Sequence, residues 1–322
     1  MLVSPFKNGS IVSPVLVIMV AVLLWGKAML GNYQIAFGSF GVFSPFIDDN
    51  STGNWWLSLI SFVVVIITAF FLNRTIDRDE FFERNTFLPA LFYVLFMSVP
   101  PYVQGYSPIV FANFFVMLSF YWSLKIKRQE DAREIIFNSS FFISTAILIF
   151  PVFIPLILSP FILLIIFRPF VWREWILSLV GMFLPVFFYF FGLYFFDIPF
   201  EENTYENSFW RTWEYVTFTS TENIIFSGFI TLLMLFSLYI INQKFSVSSI
   251  RLRKFFQFFL INLVLFIMIS ISLYSLSEIM FSIVALPLAL VMSYYFYYAK
   301  TLWANIFFFL LIVCSFYVIY FV

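Results

Sequence analysis

From Ile135 to Phe167 the chain runs for 33 residues without a charged side chain, and the nearest basic residues on the two sides are Arg133 and Arg168. A run of that length belongs in lipid, where every backbone N–H and C=O must find its partner inside the protein, which leaves helices or a closed barrel. Barrel strands alternate apolar and polar residues; Phe62-Val63-Val64-Val65-Ile66-Ile67 does not. The segment therefore reads as helical. Positive charge at both flanks requires an even number of crossings, and the available turn is Phe150-Pro151-Val152-Phe153-Ile154-Pro155. Each arm then has about 16 residues and reaches about 24 Å, short of a hydrocarbon core of about 30 Å. A short hairpin over 135–167 is expected, buried in protein or lining a cavity, with Pro151, Pro155 and Pro160 shaping it. A proline-kinked hairpin of purely structural role fits the same residues.

The rest of the chain repeats this pattern. It is 63% hydrophobic and 11% charged, against about 25% charged in ordinary soluble domains, so a water-facing surface could not be clothed. Net charge is zero, histidine is absent and there is one cysteine, which excludes nucleic-acid binding, histidine-based catalysis and cysteine-ligated metal. Spans are expected at 11–30, 55–72, 87–100, 107–124, 135–150, 152–167, 175–196, 224–242, 255–274, 279–298 and 303–322. The fold class is all-α: a polytopic transmembrane bundle of about eleven spans in one integral membrane domain, 1–322. With the N-terminus inside, 15 of the 17 Lys and Arg residues fall on the cytoplasmic face, Lys27 and Arg211 being the exceptions, and the C-terminus lies outside. The first span lacks a small-residue cleavage site and reads as a retained helix. Five Ser-Pro pairs, at 4–5, 13–14, 44–45, 107–108 and 159–160, suit helix starts.

The outer face receives the carboxylates. Asp48 and Asp49 stand in the outer loop 31–54 before Trp55-Trp56, a pair suited to the headgroup level. Paired carboxylates there can act as a general base, or hold a divalent cation such as Mg²⁺ or Mn²⁺; the same Asp-Asp-Asn-Ser-Thr-Gly run also suits a solvated turn. The outer loop 197–223 carries six acids and one base. Within it Phe209, Trp210, Trp213 and Val216 recur at helical spacing, with Glu206, Arg211 and Glu214 on other faces, as in an interfacial amphipathic helix. Together with Glu201 and Glu202 it could form a lid over a substrate, with Arg211 meeting a phosphate or pairing with Glu214. Span centres hold no ionisable residue, which argues against proton-coupled transport. Asn113, Asn138, Ser139, Ser140 and Asn262 read as bonds between helices or as the polar groups of a facilitator. The charged stretches 74–80 and 125–131 read as topology signals and solvated helix ends, and Cys314 as a packing residue.

Phe87-Leu88-Pro89-Ala90-Leu91-Phe92, Pro100-Pro101, Ser107-Pro108, Glu134-Ile135-Ile136-Phe137 through Pro155, and Trp172-Arg173-Glu174-Trp175 through Pro185 resemble an uncharacterised family of multi-span Bacteroidota membrane proteins. That family in turn resembles the GT-C glycosyltransferases, which use polyprenyl-phosphate sugars. The resemblance implies a first-loop Asp serving the acceptor, matched by Asp48 or Asp49, and a lipid-linked sugar handled at the periplasmic face of a bacterial inner membrane. The loop 31–54 is shorter than that class requires for its juxtamembrane helices. The other readings are a non-catalytic subunit of an envelope assembly or secretion complex, bound to membrane-protein partners, and a lipid or solute facilitator.

Overall fold

The computed structural model describes residues 3–7, 9, 12–30, 55–104, 107–126, 132–168, 170–197, 221–245, 248–272 and 279–321. Among these the chain is helical throughout, with no strand. A single turn, α1 (Ser4–Lys7), precedes α2 (Val12–Leu30), α3 (Trp55–Arg78), α4 (Leu88–Ser98), α5 (Pro101–Gln104) and α6 (Pro108–Leu124). Then follow α7 (Arg133–Ile149), a 3₁₀ segment (Pro151–Leu158) that continues as α8 (Ser159–Phe167), and α9 (Trp172–Phe195). The last four are α10 (Thr221–Phe245), α11 (Ile250–Ser272), α12 (Ile279–Tyr298) and α13 (Thr301–Phe321).

Taken with α4–α5 as one leg and the 3₁₀ segment with α8 as another, these make eleven described helical legs. Cross-contacts fix the relative directions of α2, α4 and α13. Phe87 donates its N–H to Phe6 at one end, and the Trp25 indole meets Ser98 toward the other. At the two extremes of the sequence, Val3 N–H reaches Asn305 Oδ1, while Lys27 Nζ reaches the Ile319 carbonyl. The first and last long helices therefore run parallel, and the chain ends lie at opposite ends of the bundle. Among the described residues six helices are long and apolar enough to cross a membrane: Ser58–Arg78, Trp172–Phe195, Ile224–Phe245, Ile250–Ser270, Met280–Tyr298 and Thr301–Tyr320. The expected starts also appear. Ser107 is the extended residue before α6 with Pro108 in its first turn, and Ser4-Pro5, Ser13-Pro14 and Ser159-Pro160 sit at the starts of α1, α2 and α8; Ser44-Pro45 lies outside the described residues.

At the centre are α4 and α12. All of Leu88–Ser98 is buried, and Met280–Tyr298 is 89% buried. The sequence places a span at 87–100, but α4 has 11 residues and rises about 16 Å, half a hydrocarbon core. A half-length helix leaves terminal backbone groups at membrane depth, and α4 meets this with protein partners. At its start Thr86 Oγ accepts from Leu88 N–H and donates to the Phe6 carbonyl. At its end the Gln104 amide donates to the carbonyls of Ser98 and Leu24, and the Trp25 indole donates to Ser98 Oγ.

A second layer, α6–α7–α9, is joined through small residues. Ser139 and Ser140 are adjacent on α7, about 100° apart around the helix, so one faces each neighbour. Ser139 Oγ lies 3.0 and 2.9 Å from Ser119 and Ser123 of α6; Ser140 Oγ lies 2.8 Å from Ser178 of α9, and Ser144 donates to the Met182 carbonyl. Lipid tails are as apolar as side chains, so burial gains little here, and close approach with hydrogen bonding supplies the adhesion. The hairpin 133–167 turns at Phe150, whose extended backbone starts the 3₁₀ segment. Pro151 and Pro160 are buried and Pro155 is half-buried, whereas Ile154, Ile157, Leu158 and Ile165 face outward. The hairpin thus has one inward and one outward face, rather than the wholly interior position expected for it.

Gly181 tests this layer, because a Cβ there would stand 2.8 Å from the Phe137 carbonyl and 3.1 Å from Ser140 Cβ. Gly181→Ala is expected to lower stability by about 1–3 kcal/mol, since α7 and α9 must separate. Gly192→Ala and Gly228→Ala, which meet nothing within 4 Å, should be neutral or stabilising by up to about 1 kcal/mol. Unfolding midpoints in mixed micelles measure the contrast.

Candidate functional site

Basic charge is sorted between the two ends of the bundle. Following the legs, every described Lys and Arg except Lys27 lies at the end where the chain starts, hereafter the basic end. Lys27, at the opposite end, caps α13: its ammonium donates to the Ile319 carbonyl at 2.8 Å, next to the negative pole of that helix. The described residues on the flanks of 31–54 and 198–220, Leu30 and Trp55, Asp197 and Thr221, stand at this opposite end. Asp48 and Asp49, and Glu201, Glu202, Glu206, Trp210, Arg211, Trp213 and Glu214, lie outside the described residues. The cation site expected at Asp48 and Asp49 lies outside them too, and among the described residues no three His, Cys, Asp or Glu side chains converge on a metal position.

The described polar residues of the spans serve the packing. Asn113 donates from α6 to the Ser282 carbonyl of α12, and Ser139 and Ser140 form the bonds given above. Asn262 bonds within its own helix, to Phe258.

Ionisable side chains converge instead at the basic end. Helix α3 stops in a Schellman-type turn, with Phe81 N–H on the Ile76 carbonyl and Glu80 N–H on Asp77. Glu80 occupies the left-handed position of that turn, φ 55°, where glycine is usual. The turn carries Asp79 inward, leaving it 8% exposed. Its carboxylate bridges two helices: Oδ2 accepts from Arg78 and Oδ1 from Arg251 of α11, each at 2.7 Å. Arg78 and Lys125 both lie against the Tyr121 ring, at 4.8 and 4.2 Å, and Lys125 stands 3.7 Å from the centre of the Trp122 ring. Arg78, Asp79, Trp122, Lys125 and Arg251, with Glu134 and Ile135 at the start of α7, line a recess of about 500 Å³. A second ion pair fastens the corner between α8 and α9, where Arg168 holds Glu174 through two nitrogens, 2.5 and 3.3 Å, with both side chains nearly buried.

The stretches 74–80 and 125–131 are thus more than solvated ends, since Arg78, Asp79 and Lys125 build the recess; residues 127–131 lie outside the described residues. The available sequence signal was Lys125 three positions after Trp122 at a span boundary. Nothing local pairs Asp79 with a residue 172 positions away.

This architecture is that of a multi-pass helical membrane protein. Residues 33–322 match the profile of a family of unknown function (DUF6427), and the chain belongs to that family. No curated protein and no solved structure matches it.

Removing the bridging carboxylate should loosen the tie between α3 and α11. Asp79→Asn is expected to cost about 1–3 kcal/mol, held to that range because the two arginines are 38% and 45% exposed. Arg78→Gln, which leaves the Arg251 pair in place, should cost less. Thermal midpoints at low and high salt measure both, the difference narrowing as ionic strength rises.

Proposed function

We propose that this protein threads the bacterial inner membrane eleven times, its basic end in the cytoplasm and its C-terminus in the periplasm, and handles a lipid-linked sugar at the periplasmic face. The observation that supports this reading is that the described residues flanking both loops, Leu30 and Trp55, Asp197 and Thr221, share the end of the bundle opposite every described basic residue but Lys27. Positive residues are retained on the cytoplasmic side, so the acidic end is the outer one. There Asp48 or Asp49 serves as general base: the acceptor hydroxyl bonds to the sugar, its proton passes to the carboxylate, and the polyprenyl phosphate departs with the bonding pair. Loop 197–223 is the lid. The motif resemblance read in the sequence is the ground for the chemistry, and the buried packing around α4 is in keeping with a platform beneath the loops.

A second reading, a non-catalytic subunit of an envelope complex, draws support from α9. This helix is only 22% buried, and Phe183, Phe187, Phe191 and Phe195 stack along its outward face with centroids 6.1 Å apart.

Purification in mild detergent followed by mass spectrometry separates the two. The enzyme reading predicts a co-purifying polyprenyl-phosphate sugar and a loss of about 10²–10⁴-fold in transfer on Asp48→Asn with Asp49→Asn. Full function in that double variant, with partner proteins and no such lipid recovered, would instead establish the subunit.

A further inference from the structure

We infer that the recess at the basic end binds a phosphate group, as carried by an anionic lipid headgroup or by free phosphate. This site is distinct from the acidic loops; only the leaflet it faces rests on the orientation proposed above. Three cations, Arg78, Lys125 and Arg251, meet there with the carboxylates Asp79 and Glu134, a net charge of +1 among the described lining residues. Asp79 is the buried member and lies beneath the arginines, taking one N–H from each. A guanidinium has five N–H donors in a fixed fork, so this grip orients both arginines and leaves further donors toward the recess. The aromatic faces of Tyr121 and Trp122 hold the third cation, Lys125, at the same wall. Oriented donors on a pinned carboxylate form a fitted anion site rather than a diffuse basic surface, and the volume is that of a small-molecule pocket.

The charge balance selects the ligand. One net positive charge matches a singly charged phosphodiester, and the exposed Glu134 disfavours a second negative charge at the rim. Ile135 supplies an apolar wall. The recess lies at the ends of α3 and α6, where span meets solvent, which is the level of inner-leaflet headgroups in the proposed orientation.

Intrinsic-fluorescence unfolding and native mass spectrometry of the purified full-length protein test this with three probes: phosphatidylglycerol, diacylglycerol at the same mole fraction, and inorganic phosphate. Phosphatidylglycerol should be retained and raise the unfolding midpoint, whereas diacylglycerol should not. A matching rise with inorganic phosphate alone would support the site and identify a soluble source; no rise with it would identify the headgroup. Lys125→Gln and Arg251→Gln should each weaken phosphatidylglycerol binding about fivefold, and together about 25-fold. Arg253→Gln, at the same end but bonded to the Ser248 carbonyl, should leave it unchanged. Should the double variant fail to fold, Lys125→Gln carries the test, since Lys125 makes none of the recess ion pairs. Equal effects of phosphatidylglycerol and diacylglycerol, or wild-type affinity in Lys125→Gln, would overturn the assignment. Neither readout involves Asp48 or Asp49, so failure here leaves the lipid-linked sugar reading untouched, and the reverse holds.

Discussion

A backbone amide or carbonyl at membrane depth has no water to turn to, and this requirement decides where the short helix α4 can sit. Its 11 residues end partway through the bundle, so their terminal groups need side chains brought from elsewhere in the chain. Thr86 supplies one end. Gln104 and Trp25 supply the other, from either side of the Pro100-Pro101 break. Those donors in turn require α2 and α3 to be packed against α4, and α12 covers what remains. The surrounding legs are thereby arranged around one half-length helix.

The outer layer is joined by different means. Between α7 and its two neighbours, adhesion comes from serine hydroxyls and from Gly181, where the helices approach closely enough for backbone to touch side chain. At the basic end it comes from ion pairs that straddle helix ends, Asp79 with Arg78 and Arg251, and Arg168 with Glu174. The nearly buried Arg168–Glu174 pair contributes little net stability but is costly to break, which suits it to fixing register, and in the Asp79 pairs the carboxylate alone is buried. Both loops proposed to carry chemistry thus hang from legs whose opposite ends are tied.

Much of this was legible in the chain itself. Uncharged runs gave the helices, charge clusters gave the corners, and Phe150-Pro151 gave the hairpin turn, because each is a local property. Ser139-Ser140 was legible as polar residues that bind neighbouring helices. The length of α4 was not: Phe87 through Pro100 is as apolar as a full span, and only the shell around it reveals that it stops at Ser98. Lys27 read as an exception to the charge rule, since its partner, the Ile319 carbonyl, is 292 residues away. Asp79 was hidden for the same reason, its second arginine arriving from α11.

The account rests on the two ends of the chain emerging on opposite sides of the membrane. Single cysteines at Lys7 and Val322, in a Cys314→Ser background, can be probed in whole cells and in lysed membranes with a maleimide that cannot cross the cytoplasmic membrane. The account predicts labelling of the Val322 position in whole cells and of the Lys7 position only after lysis. Labelling of both positions under the same condition would contradict the thread, and with it the placement of the acidic loops and of the basic recess.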